Sequence, residues 1–277
     1  MKKQAASSDH THELDVGVIY SGERHFMPRL LTTMKAAAGD VSARLILVDN
    51  ASDDGTAAWQ VEFGTTTVLV NAKPLGYGAN LNLILAAATA PYVLLMNTDM
   101  YFDPAEPCLA KMVRFMEANP RCGVSGCRLY RPDGSYGHPA RRLGLGRFTP
   151  ATLGDYLYAQ RSRFESFACD WISGCFMMVR RAAFANVGGF DARFKKYFED
   201  VDFCARMAHA GWQVMFHGGT YCYHYEQRAS RRLLSADAWQ HARSYLRWMV
   251  KKRSEVGGQR LGSQVMEVEG RLDVARR

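Results

Sequence analysis

The sequence lacks the long apolar run that a membrane-spanning helix needs. Its longest such stretch, Leu83 to Met96, falls short of the ~20 residues required and carries Pro91. The N-terminus, Met1 to Asp15, has no apolar core of a secretory signal. Proline is scarce, at 9 of 277 residues, and neither an internal repeat nor a low-complexity tract occurs. Disordered and collagen-like classes are thereby excluded. Cysteine is odd in number, at seven, with no Cys-x-x-Cys pair. A disulfide scaffold or zinc ribbon is therefore not expected, and reduced, buried thiols in a cytoplasmic protein are. Acidic residues are in deficit: 27 Asp+Glu against 35 Lys+Arg leave a formal charge of +8. That surplus implies an anionic partner without distinguishing nucleic acid, acidic lipid or a phosphorylated small molecule.

What is present is globular. At 48% hydrophobic and 22% charged residues, the chain can bury a large α/β core. The first half alternates β-rich runs with helical periodicity. Strands are predicted at Leu14 to Tyr20, Arg44 to Val48, Thr66 to Val70 and Tyr92 to Met96. Helices are predicted from Pro28, over Ser52 to Phe63, over Tyr77 to Ala88, and over Pro104 to Ala118 with Asp103 as cap. This βαβ rhythm implies a mostly parallel sheet flanked by helices on both faces. The second half is mixed. It offers a strand at Gly123 to Tyr130, an irregular basic excursion over Arg131 to Ala168, and a strand at Trp171 to Val179. Helices at Arg181 to Val187 and Val201 to Ala210, a strand at Gln213 to Phe216 and a helix at Ser235 to Lys251 follow. We expect residues 1–13 to be a disordered terminus, 14–253 one domain with halves 14–120 and 121–253, and 254–277 a charged tail.

In a parallel α/β sheet, ligands bind at the C-terminal strand ends. Polar clusters stand at four of them: Tyr20 to Glu23, Asp49 to Thr56, Asn71 to Asn80, and Asn97-Thr98-Asp99. Each has a plainer reading as a turn or helix start. Gly76-x-Gly78 opens like a dinucleotide fingerprint, but Leu81 replaces the third glycine. The ordered set at successive strand ends is the stronger signal.

That set resembles the family-2 inverting glycosyltransferases of GT-A fold. It comprises Leu47-Val48-Asp49-Asn50-Ala51-Ser52-Asp53-Asp54-Gly55-Thr56, Asn71 with Gly76-Tyr77-Gly78-Ala79-Asn80, and Leu95-Met96-Asn97-Thr98-Asp99. Trp171-Ile172-Ser173-Gly174, Gly188-Gly189-Phe190-Asp191, Phe198-Glu199-Asp200 and His224 extend it over roughly residues 14 to 250. The spacing and His224-Tyr225-Glu226-Gln227-Arg228 look most like the bacterial rhamnosyltransferase branch.

The resemblance implies a single sugar transfer, plausibly of L-rhamnose from a dTDP donor (a UDP-sugar is the other candidate), onto a saccharide or lipid-diphosphate-linked acceptor in cell-surface polysaccharide synthesis. It implies that Asp49 contacts the base, with Tyr20, Gly22 and Asn50 beside it, and that Lys73, Gly76, Gly78 and Asn80 hold the nucleotide. Asn97, Thr98 and Asp99 would meet the diphosphate. Asp99 and His224 would bind a divalent metal, Mn or Mg, that neutralises the leaving group. Asn97 departs from the family's Asp at that position, and Asn is a weaker ligand than a carboxylate. Asp200 would be the base, supported by Glu199; for an isolated pair of carboxylates a helix cap is the plainer reading. Trp171, Ser173 and Gly174 would shape the junction of donor and acceptor. Arg141, Arg142, Arg147, Arg161, Arg163, Arg228, Arg231 and Arg232 serve either as solvated surface or as anion ligands. In the last helix Trp239, Ala242, Leu246, Met249 and Val250 recur on one face, near Arg243, Arg247, Lys251, Lys252 and Arg253. They read either as packing or as peripheral contact with the inner face of the cell membrane. Nucleic acid is not an expected partner, and oligomeric state is open. A sugar-1-phosphate nucleotidyltransferase is one rival, although it needs a glycine-rich basic loop after the first strand. A non-catalytic anionic-ligand module is the other.

Overall fold

The computed structural model describes residues 12–54, 66–137, 139–141, 163–225 and 239–251. In chain order the elements are β1 (Leu14–Tyr20), α1 (Met27–Ala38), β2 (Ala43–Asp49), β3 (Thr66–Val70), α2 (Tyr77–Ala87), β4 (Tyr92–Met96), β5 (Met100–Tyr101), α3 (Cys108–Ala118), β6 (Cys122–Tyr130), β7 (Tyr136–Gly137) and β8 (Ala140–Arg141). There follow β9 (Phe167–Ala168), β10 (Trp171–Ile172), β11 (Phe176–Arg180), α4 (Arg181–Val187), α5 (Glu199–His209) and β12 (Gln213–His224). Residues 239–251 form a further helix, α6. The expected helix over Ser52 to Phe63 lies largely outside the described residues, as do Arg142, Arg147, Arg161, Arg228, Arg231, Arg232 and both termini.

The main sheet runs β3-β2-β1-β4-β11-β6-β12-β5, with β7 added to β6 and β9 to β12. Strands β3, β2, β1 and β4 are mutually parallel. Strand β11 then pairs antiparallel with both β4 and β6, while β6 and β12 are parallel. Strict alternation along each strand supplies two cores. Leu14, Val16, Val18, Leu45, Leu47, Leu94 and Met96 pack with α1 and α3. Ile46, Val48, Val93 and Leu95 pack on the other face with α2 and α5. Each such side chain contributes roughly 1.5–3 kcal/mol when fully buried. Gly17 on β1 lets α2 approach: a Cβ there would stand 2.2 Å from Ile84 Cγ2. Asp15 is fully buried, yet its oxygens accept from Arg44 Nε at 2.7 Å and from the amides of Thr89 and Ala90 at 2.7 and 2.8 Å. That carboxylate ties β1 to the approach to β4.

Four expected elements are corrected. Helix α3 starts at Cys108, not Pro104. Asp103 instead closes a turn, accepting from the amides of Ala105 and Glu106, and Pro107 can neither donate nor let Glu106 be helical. The strand expected over Trp171 to Val179 is two, because at Ser173-Gly174-Cys175 the backbone leaves the ladder. The helix expected from Val201 begins at Glu199. Strand β12 passes Phe216 and runs to His224 through an irregularity between His217 and Tyr221.

Cα packing divides the chain into two compact units, Met1–Lys195 with Glu199–Gln227 and Lys196–Phe198 with Arg228–Arg277. In the smaller one, Ser244 Oγ donates to the Lys196 carbonyl at 2.8 Å and the Trp248 ring lies 6.0 Å from that of Phe198.

Candidate functional site

Strand ends β1, β2, β3 and β4 present their polar residues along one edge of the sheet. Asp49 ends β2, buried, and accepts the Ser52 amide at 2.8 Å. Tyr20 ends β1 wholly buried, and its hydroxyl donates to the exposed Asp54 carboxylate, which is held below its usual range chiefly by that bond. Gly22 sits at φ 99°, in the left-handed region. Three side-chain amides fasten the next loop. Asn50 Oδ1 accepts from Asn71 Nδ2 at 3.0 Å and from the Leu75 amide at 2.8 Å, and Asn71 Nδ2 also reaches Asn80 Oδ1 at 2.7 Å. Lys73 is exposed at the tip of that loop.

The loop docks where α2 begins. The Tyr77 amide donates to the Lys195 carbonyl at 2.7 Å, and a Cβ on Gly76 would lie 3.0 Å from Lys195 Cα. Asn82 on α2 holds the chain that leads to α5, accepting from the Phe190 amide at 2.7 Å and donating to its carbonyl at 2.8 Å. A Cβ on Gly189 would collide with that same amide group, 2.3 Å from Asn82 Oδ1.

The tripeptide Ser173-Gly174-Cys175 joins the carboxylates to the histidine. The Gly174 amide donates to Asp200 Oδ2 at 2.9 Å, and the Val201 amide donates to Asp200 Oδ1 at 2.8 Å. The Gly174 carbonyl is 3.0 Å from the Tyr77 hydroxyl, which is also 2.8 Å from Asn97 Oδ1. The Asn97 amide donates to the Cys175 carbonyl at 3.1 Å. Burial pushes the Tyr77 phenol well up, and the carboxylates of Glu199, Asp200 and Asp99 and the Cys175 sulfur add to the effect. Asp202, two residues past Asp200, is occupied elsewhere, accepting Arg206 Nε at 2.9 Å while Arg206 also binds the carbonyls of Val187 and Gly189.

Asp99 follows β4 and His224 ends β12; Asp99 Oδ1 and His224 Nε2 are 3.2 Å apart. Burial disfavours a charged ring at His224, but the Cys175 sulfur and the Asp99 carboxylate outweigh it and push the imidazole up to about 11. Two ligands about 2.1 Å from one octahedral ion stand about 3 Å apart when adjacent, so the pair fits a divalent cation. Among the described residues no group of three or more His, Cys, Asp or Glu forms a metal cage, so the other positions would fall to phosphate oxygens and water. Asn97 is directed to Tyr77, the residue that sequence reasoning left out of the site because it looks like an ordinary helix start. Asp54 was also left out, and its long-range bond to Tyr20 carries no local signal. Trp171 is half-buried in β10, opposite Arg141 of β8, and packs against the second core.

Comparison with known proteins identifies the family and the fold. The family model described as glycosyl transferase family 2 matches residues 15–188, and one described as the N-terminal domain of galactosyltransferase matches residues 161–228. The chain is 28% identical over 262 residues to an N-acetylglucosaminyl-diphospho-decaprenol L-rhamnosyltransferase of Mycobacterium tuberculosis, covering 86% of this chain and 84% of that one. It is 24% identical over 255 residues to rhamnosyltransferase WbbL of Escherichia coli, covering 85% and 92%. Among solved structures, the mannosyltransferase PcManGT of Pyrobaculum calidifontis, in complex with GDP-Man and Mn2+, superposes with a TM-score of 0.59 at 19% identity, over 82% of this chain and 60% of that one. GalNAc-T7 with UDP, GalNAc and Mn2+ gives 0.57 at 13% identity, over 77% and 44%. These structures share the fold.

Proposed function

Because the chain belongs to glycosyl transferase family 2, we propose that it transfers L-rhamnose from dTDP-rhamnose, with inversion, to a saccharide carried on a polyprenyl diphosphate. The sugar follows the activity of both rhamnosyltransferase relatives, and the acceptor class follows that of the Mycobacterium tuberculosis enzyme. Residues 14–120 bind the donor; residues 121–253 bind the acceptor and supply the base. The observation that carries the mechanism is the tripeptide Ser173-Gly174-Cys175, which touches Asp200, Tyr77 and Asn97 at once.

Asp200 takes the proton of the attacking acceptor hydroxyl. Each of its oxygens accepts one backbone amide, which fixes the carboxylate plane relative to α5 and the Ser173–Cys175 turn. Glu199, buried beside it in the first turn of α5, shares the positive end of the helix dipole. Asp49, Asp54 and the Asn50–Asn71–Asn80 amides line the nucleotide side. Gly76 and Gly78 keep the backbone close to the segment before α5, and Thr98 lies buried between Asn97 and Asp99. Asp99 and His224 would hold a Mn or Mg ion, which, when bound, neutralises charge on the departing diphosphate without moving a proton. Trp171 and Ser173 border the junction of the two substrates. The enzyme works at the cytoplasmic face of the membrane as a peripheral protein. Family membership leaves the nucleotidyltransferase and binding-module rivals without support.

A thermal-shift screen of dTDP, UDP and GDP with and without Mn tests the reading. A nucleotide at a hundred times its dissociation constant stabilises by about 2.7 kcal/mol, a rise of roughly 5–10 °C. A dTDP response enlarged by Mn, followed by rhamnosyl transfer to a polyprenyl-diphosphate-linked N-acetylglucosamine, is expected. A GDP-only response would overturn the choice of donor.

A further inference from the structure

Helix α6 has one face in use and one left over. Inward, Ser244 is buried and bonded to the Lys196 carbonyl, and Trp248 faces Phe198. Outward, Trp239, Leu246 and Val250 are 71%, 64% and 68% exposed. Positions seven and eleven residues after Trp239 return to the same line on a helix, so the three form one apolar stripe. Arg243, Arg247 and Lys251 recur every four residues and form the stripe's cationic border. From Trp239 to Arg253 there is no Asp or Glu, although the chain as a whole holds 27 of them. An exposed Trp-Leu-Val line on a solvated helix costs burial that water cannot return, and a border of one sign narrows the surfaces that can cover it.

We propose that α6 docks this enzyme flat on a bilayer rich in anionic phospholipid, with Trp239, Leu246 and Val250 seated at the headgroup–acyl boundary and Arg243, Arg247 and Lys251 against the lipid phosphates. Among the described residues no helix is long and apolar enough to cross a membrane, so the element lies on the surface rather than through it. Its 13 helical residues make a contact about 20 Å long. The inference gives a physical place to the lipid-linked acceptor of the previous section and rests on that reading for its purpose, not for its physics.

The test is co-sedimentation of the full chain, without substrates, with vesicles of phosphatidylcholine alone or with an equal part of phosphatidylglycerol. Each cation near the surface is worth about fivefold in partitioning, so three predict binding about a hundredfold tighter to the anionic vesicles, lost progressively with salt. Leu246→Glu/Val250→Glu should weaken binding at least tenfold while circular dichroism and thermal midpoint stay at the parent values. Should that variant misfold, Arg243→Gln/Arg247→Gln/Lys251→Gln supplies the second arm, abolishing the preference for phosphatidylglycerol. Equal binding to both vesicle types, or parent-like binding by the variants, overturns the proposal. So does a parent that sediments as a dimer which the Glu variant dissociates, since a second copy would then cover the stripe. Vesicle binding without rhamnosyl transfer would instead defeat the donor and acceptor reading and leave the docking surface standing.

Discussion

Replacing Asp200 by Asn changes charge and proton affinity while hardly changing shape. In the parent, Oδ2 accepts from the Gly174 amide and Oδ1 from the Val201 amide. In the variant one of those amides must face an NH2 group, so one bond is lost and two donors oppose each other. The structural cost is about 1–3 kcal/mol, which for a chain of this size lowers the thermal midpoint by roughly 2–10 °C. The chemical cost is larger. A positioned base contributes about 10²–10⁴-fold, equivalent to roughly 3–5 kcal/mol of barrier. We therefore expect kcat for rhamnosyl transfer to fall by about 10³, with the nucleotide-induced thermal shift retained because the donor side does not depend on Asp200. Release of dTDP should be followed with and without acceptor, below the variant's melting range. Turnover within tenfold of the parent would refute Asp200 as the base. Loss of nucleotide binding along with turnover would show that the residue acts on the donor instead.

Three further outcomes are expected. Asp99→Ala or His224→Ala should abolish the extra thermal shift that Mn gives the dTDP complex, read by titrating Mn into chelator-stripped protein; an undiminished Mn effect would rule out the pair. Asp15→Ala removes an acceptor from Arg44, from the buried Ala90 amide and from the part-buried Thr89 amide, and should cost about 3–5 kcal/mol in urea unfolding; a loss below 1 kcal/mol would contradict that bonding scheme. His217 stacks on Phe115, and burial, with the cations of Lys111 and Arg128, lowers its ring from 6.5 to about 4. The fold prefers the neutral ring, so its contribution is complete above pH 6.5 and is lost as pH falls toward 4. After allowing for partial exposure it is worth of order 1–2 kcal/mol, which His217→Gln should remove from the difference in unfolding free energy between pH 7 and pH 4.

The parts legible in the sequence are those whose cause is local. Strands β1, β2 and β4 carry the apolar row Leu14, Val16, Val18, Leu45, Leu47, Leu94 and Met96 toward α1 and α3, and no other element fits such runs between turn residues. Helix α1 begins beside Pro28, and α4 ends where Gly188 takes φ 74°. The sequence suggests β12 only as far as Phe216, whereas the strand continues through Gly218-Gly219. Gly218 answers a distant neighbour: a Cβ there would lie 2.4 Å from the carbonyl of Glu165. The site divides in the same way. Asp49, Asp99, Asp200 and His224 stand out through the combined motif alone. Tyr77 and the Gly174 amide matter because of residues 97, 174 and 200, and no window of sequence contains those meetings.

The stretch from Ser173 to Cys175 also bears on how such an enzyme can diversify. Its amide steadies the Asp200 carboxylate proposed to receive the acceptor's proton, and its far end interacts with the His224 imidazole proposed to serve the leaving group. In that reading both ends of the chemistry are registered to one short covalent ruler. New sugars and new acceptors can be accommodated by rewriting the surrounding loops, but a change of spacing within these three residues would shift attack and departure together.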